Sequence, residues 1–116
     1  MRLTQSVRYA VVCLFELAKF PGEFFETQSL ARLLDIPPAY AHKVLQTLSH
    51  AGLVIGQKGA GYRLARPLNQ ISALQVIEAL TKESVEVHIS DVGLELEKRI
   101  NETLGKFKLN ELKTLV

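Results

Sequence analysis

The run Asp35-Ile36-Pro37-Pro38 constrains this chain most. Proline fixes φ and has no amide hydrogen, and the residue before it is pushed out of helical geometry. No helix can pass through these positions, yet Pro38 suits the first turn of a new one, where its missing N–H costs nothing. On the upstream side, Thr27 is placed to cap a short helix reaching about Leu34, with Leu30, Leu33 and Leu34 facing inward. Downstream, Ala41, Val44, Leu45 and Leu48 follow the i, i+3, i+4, i+7 spacing of one buried helical face. That helix is expected to run to about Ala51, with Gly52 as its C′ residue. Its outward positions are Ala39, Tyr40, His42, Lys43, Gln46 and His50. Two short helices about a fixed turn are the result.

The next stretch of the chain is β-prone. Leu53-Val54-Ile55 and Tyr62-Arg63-Leu64 flank Gln57-Lys58-Gly59-Ala60-Gly61, a hairpin with a glycine-rich tip that Pro67 stops. Phe24-Phe25-Glu26 has room only for a brief strand. A first helix is expected from an N-cap at Thr4 to about Phe20, ended by Pro21-Gly22. Its apolar face comprises Leu3, Val7, Ala10, Val11, Leu14, Leu17 and Ala18; Val12 and Phe15 widen the arc enough for packing on two sides.

Beyond the hairpin, a fourth helix is expected from about Ser72 to Leu80, with Leu74, Ile77 and Leu80 apolar. A last long helix starts at Ser90 or Asp91 and is ended or weakened by Gly105. In it Val92, Leu96, Ile100 and Leu104 recur every four residues between charged neighbours, flanked by Val85, Ile89 and Phe107. The fold class read from these patterns is mainly α with a small β-hairpin. Residues 1–67 form a winged helix-turn-helix, its first helix also contributing to a dimer, and residues 68–116 form a helical dimerisation region.

Apolar residues make up 47% of the 116, enough for a real core and too many for a disordered chain. The single Cys excludes a disulfide framework within this chain and fits a reducing cytosol. No apolar run approaches the about 18 residues of a membrane span, and the opening residues lack a signal-peptide pattern. A cytoplasmic location is expected. The net charge of +2 is unevenly spread: residues 1–66 hold eight Lys/Arg against four Asp/Glu, and residues 67–116 hold six against eight. A basic front and an acidic back suit a chain that lays its first part on a polyanion.

The major groove of B-DNA is about 12 Å wide and admits one α-helix. The second helix of a helix-turn-helix enters it while the first crosses the backbone. Ala39 allows close approach; Tyr40, His42, Lys43 and Gln46 carry groups able to reach base edges or phosphates. Thr27, Gln28 and Ser29 offer hydroxyls, an amide and free N–H groups to a phosphate. Lys58, Gly59, Arg63 and Arg66 supply the wing. Double-stranded DNA is therefore the expected partner. The stripe Val92, Leu96, Ile100 and Leu104, with the free flank of the first helix, reads as a twofold interface matching half-sites about 34–36 Å apart. The same surfaces could instead bind another protein, which is the alternative reading: a winged-helix protein–protein interaction module.

Catalysis finds no support. His42, His50 and His88 are scattered, and no HExxH, CxxC or acid pair at metal spacing occurs. Gly59-Ala60-Gly61 lacks the Lys-Ser/Thr and the helix of a phosphate loop. No catalytic, cofactor-binding or metal-ligating residue is assigned. Cys13 reads as a small buried hydrophobe, with a redox role as the alternative.

At these residues the chain resembles the Rrf2 (Rrf-two) family of bacterial winged-helix regulators, the group that includes IscR, NsrR and CymR. Met1-Arg2-Leu3-Thr4, Arg8-Tyr9-Ala10-Val11 and Leu17-Ala18 look like its opening. Ser29-Leu30-Ala31 and Ile36-Pro37-Pro38-Ala39-Tyr40 resemble its helix-turn-helix, and Ala51-Gly52-Leu53-Val54 its junction to the wing. Gly61-Tyr62-Arg63-Leu64-Ala65-Arg66-Pro67 is similar to its wing exit, and Ile77-Glu78-Ala79-Leu80 and Leu109-Asn110-Glu111-Leu112 to its later helices. The resemblance implies homodimeric transcription factors, mostly repressors, with a long C-terminal dimerisation helix. Many relatives hold an iron–sulfur cluster on three cysteines between the fourth and the long helix. Residues 82–90 here contain no Cys, so cluster binding does not carry over. The wing tip is shorter than the family's triple-glycine form. His42 and Lys43 stand where many cluster-bearing relatives have Glu and Gln, which implies a different target sequence.

Overall fold

The computed structural model describes residues 5–81 and 91–114, with side chains described at 5–81 and 98–111. In chain order the elements are α1 (Gln5–Ala18), α2 (Thr27–Leu34), α3 (Pro38–His50), strands β1 (Val54–Gln57) and β2 (Gly61–Leu64), α4 (Ala73–Thr81) and α5 (Asp91–Lys106). Short 3-10 turns lie at Leu68–Gln70 and Leu109–Thr114. Among the described residues, five helices with one antiparallel hairpin after the third give the winged-helix architecture. The expected N-cap Thr4 and the flanking Val85 and Ile89 lie outside the described residues.

α1 is the hub. Val7, Ala10, Cys13, Leu14 and Leu17 are buried along one stripe, with Val11 and Phe15 partly buried against the core. Val12 remains 41% exposed, so within one chain the wide apolar arc of α1 is covered on one side only. Leu30 and Ala31 of α2, the α3 stripe of Ala41, Val44, Leu45 and Leu48, and Leu53, Val54 and Leu64 of the wing close the same core. Leu68, Ile71, Val76 and Leu109 belong to it too.

Local chemistry explains the α2–α3 turn. Asp35 takes the left-handed conformation (φ 55°), and the next amide, Ile36 N–H, donates to Ala31 O over 2.9 Å. Pro37 stays extended, and its carbonyl accepts from the Tyr40 and Ala41 amides, each at 3.0 Å. α3 ends with Gly52 at φ 78°, where the Leu53 amide reaches Leu48 O over 3.0 Å. A left-handed C′ glycine is the economical way to satisfy those last carbonyls.

Two expectations about α2 need correction. Thr27 is the first helical residue rather than the cap, a position taken by extended Glu26 without a side-chain cap bond. The cause lies upstream: Phe25 exchanges two 2.9 Å backbone hydrogen bonds with Tyr62, which holds the chain extended until Glu26. Leu33 does not face inward but is 62% exposed. At about 100° per residue it stands well round the helix from the face shared by Leu30, Ala31 and Leu34.

β1 and β2 pair in register from Val54 with Leu64 to Gln57 with Gly61, and an isolated antiparallel bridge joins Phe25 to Tyr62. α4 begins with a reciprocal cap. Ser72 Oγ accepts from the Gln75 amide (3.1 Å) and Gln75 Oε1 accepts from the Ser72 amide (2.8 Å). α5 runs through Gly105 to Lys106, one residue beyond the expected stop, and the missing Cβ there faces Leu74 of α4. The chain then returns to the body. Ala73 N–H donates to Phe107 O and Leu109 N–H to Ile71 O, both at 2.9 Å, which seats Leu109 in the core.

Candidate nucleic-acid interface

The outward side of α3 is built by subtraction. Its core stripe fixes the helix to the body, and the residues opposite that stripe, Ala39, His42, Lys43 and Gln46, are all exposed. Thr47 Oγ1 turns back to donate to Lys43 O over 2.9 Å, so it is occupied by its own helix. Tyr40 differs from its neighbours. Its hydroxyl hydrogen-bonds the Ser6 hydroxyl at 3.0 Å, and its ring meets Tyr9 edge to face, centroids 5.0 Å apart at 84°. Tyr9 accepts from Gln5 Nε2 at 2.7 Å. The N-terminal ends of α1 and α3 are thus joined through Ser6, Tyr9 and Tyr40.

At the start of α2, Gln28 and Ser29 are exposed and Thr27 is half-buried. The first amides of a helix have no partner within it, so this end presents donors beside the hydroxyls. The wing cations fall into two groups. Lys58 and Gly59 are exposed at the hairpin tip, with Gly59 at φ 84°. Arg63 is half-buried, donates from Nη1 to Leu64 O at 3.0 Å, and lies 5.5 Å from the centroid of Phe24. Arg66 is also half-buried, with Nη2 3.4 Å from Gly52 O at the end of α3. Arg66 reaches from the wing to the end of α3 and Arg63 lies over Phe24, its bond to Leu64 O staying within β2; Lys58 is the cation that projects from the tip.

An open groove of about 730 Å³ borders α3. Ser6, Tyr40, Lys43, Thr47 and His50 line it together with Leu80 of α4. Tyr9 enters the sequence reading only within the opening Arg8-Tyr9-Ala10-Val11, and nothing in the sequence marks Gln5 or Ser6; the contacts with Tyr40 and Tyr9 bring all three to this site.

Of the expected interface stripe, Ile100 is 36% exposed and Leu104 is half-buried, and both border a shallow hollow with Arg99 and Thr103. The side chains of Val92 and Leu96 lie outside the described residues. Among the described residues no group of three or more His, Cys, Asp or Glu is placed to hold a metal. An iron–sulfur cluster held by cysteines needs several thiolates. Within these 116 residues the single candidate is Cys13, fully buried, with its thiol pushed up to about 12 by burial. A neutral, enclosed thiol is a poor ligand, so the residues present do not fit a cysteine-held cluster. No helix among the described residues is long and apolar enough to cross a membrane.

Known proteins share both the sequence and the shape. Over 89 residues the chain is 38% identical to the Synechocystis helix-turn-helix protein slr0846, covering 74% of this chain and 60% of the other. Over 85 residues it is 34% identical to the HTH-type transcriptional regulator IscR of Cereibacter sphaeroides, covering 69% of this chain and 55% of that one. The chain spans three-fifths or less of the length of these curated relatives. The structure of CymR, the global cysteine regulator of B. subtilis, superposes with a TM-score of 0.76 at 26% identity, covering 100% of this chain and 98% of that one. The family model described as an iron-dependent transcriptional regulator matches residues 3–114, nearly the whole chain, and the chain belongs to the Rrf2 family.

Proposed function

We propose that this chain is a sequence-specific DNA-binding transcriptional regulator, a repressor acting in the cytoplasm as a homodimer without an iron–sulfur cluster. One observation carries the reading: the exposed face Ala39, His42, Lys43 and Gln46 stands on a helix whose opposite face is buried in the core. A rigid helix with a small residue at its leading end and polar groups behind it fits the major groove. Lys43 is the base-reading candidate, with Gln46 and His42 beside it. Gln28 and Ser29 serve phosphates from the start of α2, and Lys58 with Gly59 serves the backbone from the wing. Arg63 and Arg66 serve the wing and the adjacent backbone: each spends one of its five N–H donors on a nearby carbonyl and keeps others for phosphate. Residues 1–67 grip DNA in this scheme and residues 68–116 pair two copies. Val92, Leu96, Ile100 and Leu104 form the seam, and the open Val12 flank of α1 extends it.

The test is fluorescence anisotropy of the purified protein with duplexes selected from genomic fragments and with scrambled duplexes, across a salt series. Phosphate neutralisation makes affinity fall steeply with salt. Retention of selected duplexes over scrambled ones, with that salt dependence, is expected. Failure to bind either duplex at low salt would leave the protein-partner reading of the same surfaces.

A further inference from the structure

The tyrosine contact between α1 and α3 has no part in gripping DNA as proposed so far. At about 100° per residue, Tyr40 stands about 60° round α3 from Lys43 and about 100–120° from Ala39 and Gln46, on the flank that meets Ser6 and Tyr9 of α1. It is 37% exposed, yet its hydroxyl is held by Ser6 at 3.0 Å and its ring edge by Tyr9. Both ends of this contact lie in the first turns of their helices. A helix anchored by its apolar stripe can still rock about its axis by a small angle. The hydroxyl bond lies off that stripe and opposes such rocking.

We propose that the Ser6–Tyr40 hydroxyl pair is a latch that sets the rotation of α3. Ser6 and Tyr40 are then positioning residues for sequence discrimination, although Ser6 stands on a helix that does not enter the groove. This role rests on the DNA-binding reading of α3. A base-reading side chain acts only when its donors meet base edges within hydrogen-bond distance, whereas a phosphate contact tolerates small rotations. Loss of the latch should therefore blunt discrimination between sequences more than it weakens affinity for DNA in general. Tyr9 supports the ring, and Gln5 supports Tyr9 through its 2.7 Å bond.

The experiment is a double-mutant cycle on the full chain with Ser6→Ala, Tyr40→Phe and the pair, each measured on a selected and a scrambled duplex. Each single variant is expected to reduce the ratio of the two affinities by about three- to tenfold, the span of one net hydrogen bond. The double variant should lose no more than either single one, because both remove the same bond. Ser6→Thr keeps a hydroxyl and should restore the ratio. Proton–nitrogen correlation spectra of the free proteins form a second arm without DNA. Ser6→Ala and Tyr40→Phe should shift the same amides in residues 39–43. The latch is overturned if Ser6→Ala leaves those amides and the ratio unchanged. It is equally overturned if Tyr40→Phe alone weakens both duplexes to the same degree, since Tyr40 would then touch DNA itself. A wild-type chain that retains no duplex overturns the DNA reading. Common amide shifts would in that case reduce the hydroxyl pair to packing.

Discussion

Gly61 and Phe25 pass so close that no side chain fits between them. A Cβ on Gly61 would overlap the Phe25 carbonyl and stand 2.8 Å from the Glu26 nitrogen, and Gly61 sits at φ 105°. This contact joins the wing to the extended segment that leads into α2, so the wing's position depends on it. Gly61→Ala is expected to destabilise the fold by about 2–4 kcal/mol, since it combines a backbone clash with a conformation L-residues avoid. Gly59, at φ 84° with open space around it, is the control: Gly59→Ala should cost about 1 kcal/mol. Urea unfolding of the two variants measures the difference; equal midpoints would show that the close approach is not rigid.

The wing cations should separate by phenotype. Lys58→Ala removes a projecting charge and is expected to weaken binding to all sequences, making the salt slope shallower by about 1. Arg63→Ala removes a bond to Leu64 O and a stack on Phe24, so its main effect should be a loss of about 1 kcal/mol of stability. Lys43→Ala should lower specific binding by about 1–3 kcal/mol and change non-specific binding less. Anisotropy across a salt series, paired with urea unfolding, resolves all three. If Lys43→Ala and Lys58→Ala both leave duplex binding unaltered, α3 and the wing do not grip DNA.

These contrasts mark how far the residues alone could be read. The stripe Ala41, Val44, Leu45 and Leu48 is legible because it is local: four apolar residues at helical spacing can be buried together in only one way. The two prolines and Gly52 are legible for the same reason, as they restrict φ at their own positions. Leu33 is not, because an eight-residue helix rich in leucine does not say which leucines its neighbours will cover. Arg63 and Lys58 look alike as letters; the ring of Phe24, 39 positions upstream of Arg63, makes one an anchor and leaves the other free. Tyr40 is the sharpest case. Its place among outward residues is correct by spacing, and Ser6, a residue without any motif, takes its hydroxyl.

Cys13 should make stability depend on alkaline pH. Burial raises its thiol from 9.0 to about 12, so the folded state keeps the proton while the unfolded chain loses it above its own ordinary value. Its contribution is fully present below about pH 9 and is lost as pH rises towards 12. Within that window the slope approaches about 1.4 kcal/mol per pH unit. Cys13→Ala, which cannot titrate, should remove this dependence at a cost of about 1 kcal/mol near neutrality, because a small apolar group still fills most of the space. Urea unfolding of both proteins between pH 7 and 11 checks it, with iodoacetamide labelling at pH 8 as a companion. Rapid labelling of the native protein, or identical pH profiles, would contradict the enclosure of the thiol.

Apolar side chains of α5 and α1 stay open to solvent in the single chain. Ile100 is exposed in the single chain and Leu104 half-buried, while Val12 of α1 offers a second open apolar surface. An apolar helical stripe of this kind is stable in water mainly when another surface covers it. If a second copy provides that cover, two charges introduced on the stripe would enter the interface without partners. Leu96→Glu combined with Ile100→Glu is therefore expected to separate the dimer, since burying an unpaired carboxylate costs several kcal/mol, about what a modest interface supplies. The variant should run as a monomer by light scattering at concentrations where the wild type is a dimer, with helical circular dichroism retained over α1 to α4. DNA affinity should fall with it, because one half-site contributes far less than two held about 34–36 Å apart. A double variant that remains dimeric would move the interface elsewhere, and the Val12 flank would be the next surface to charge.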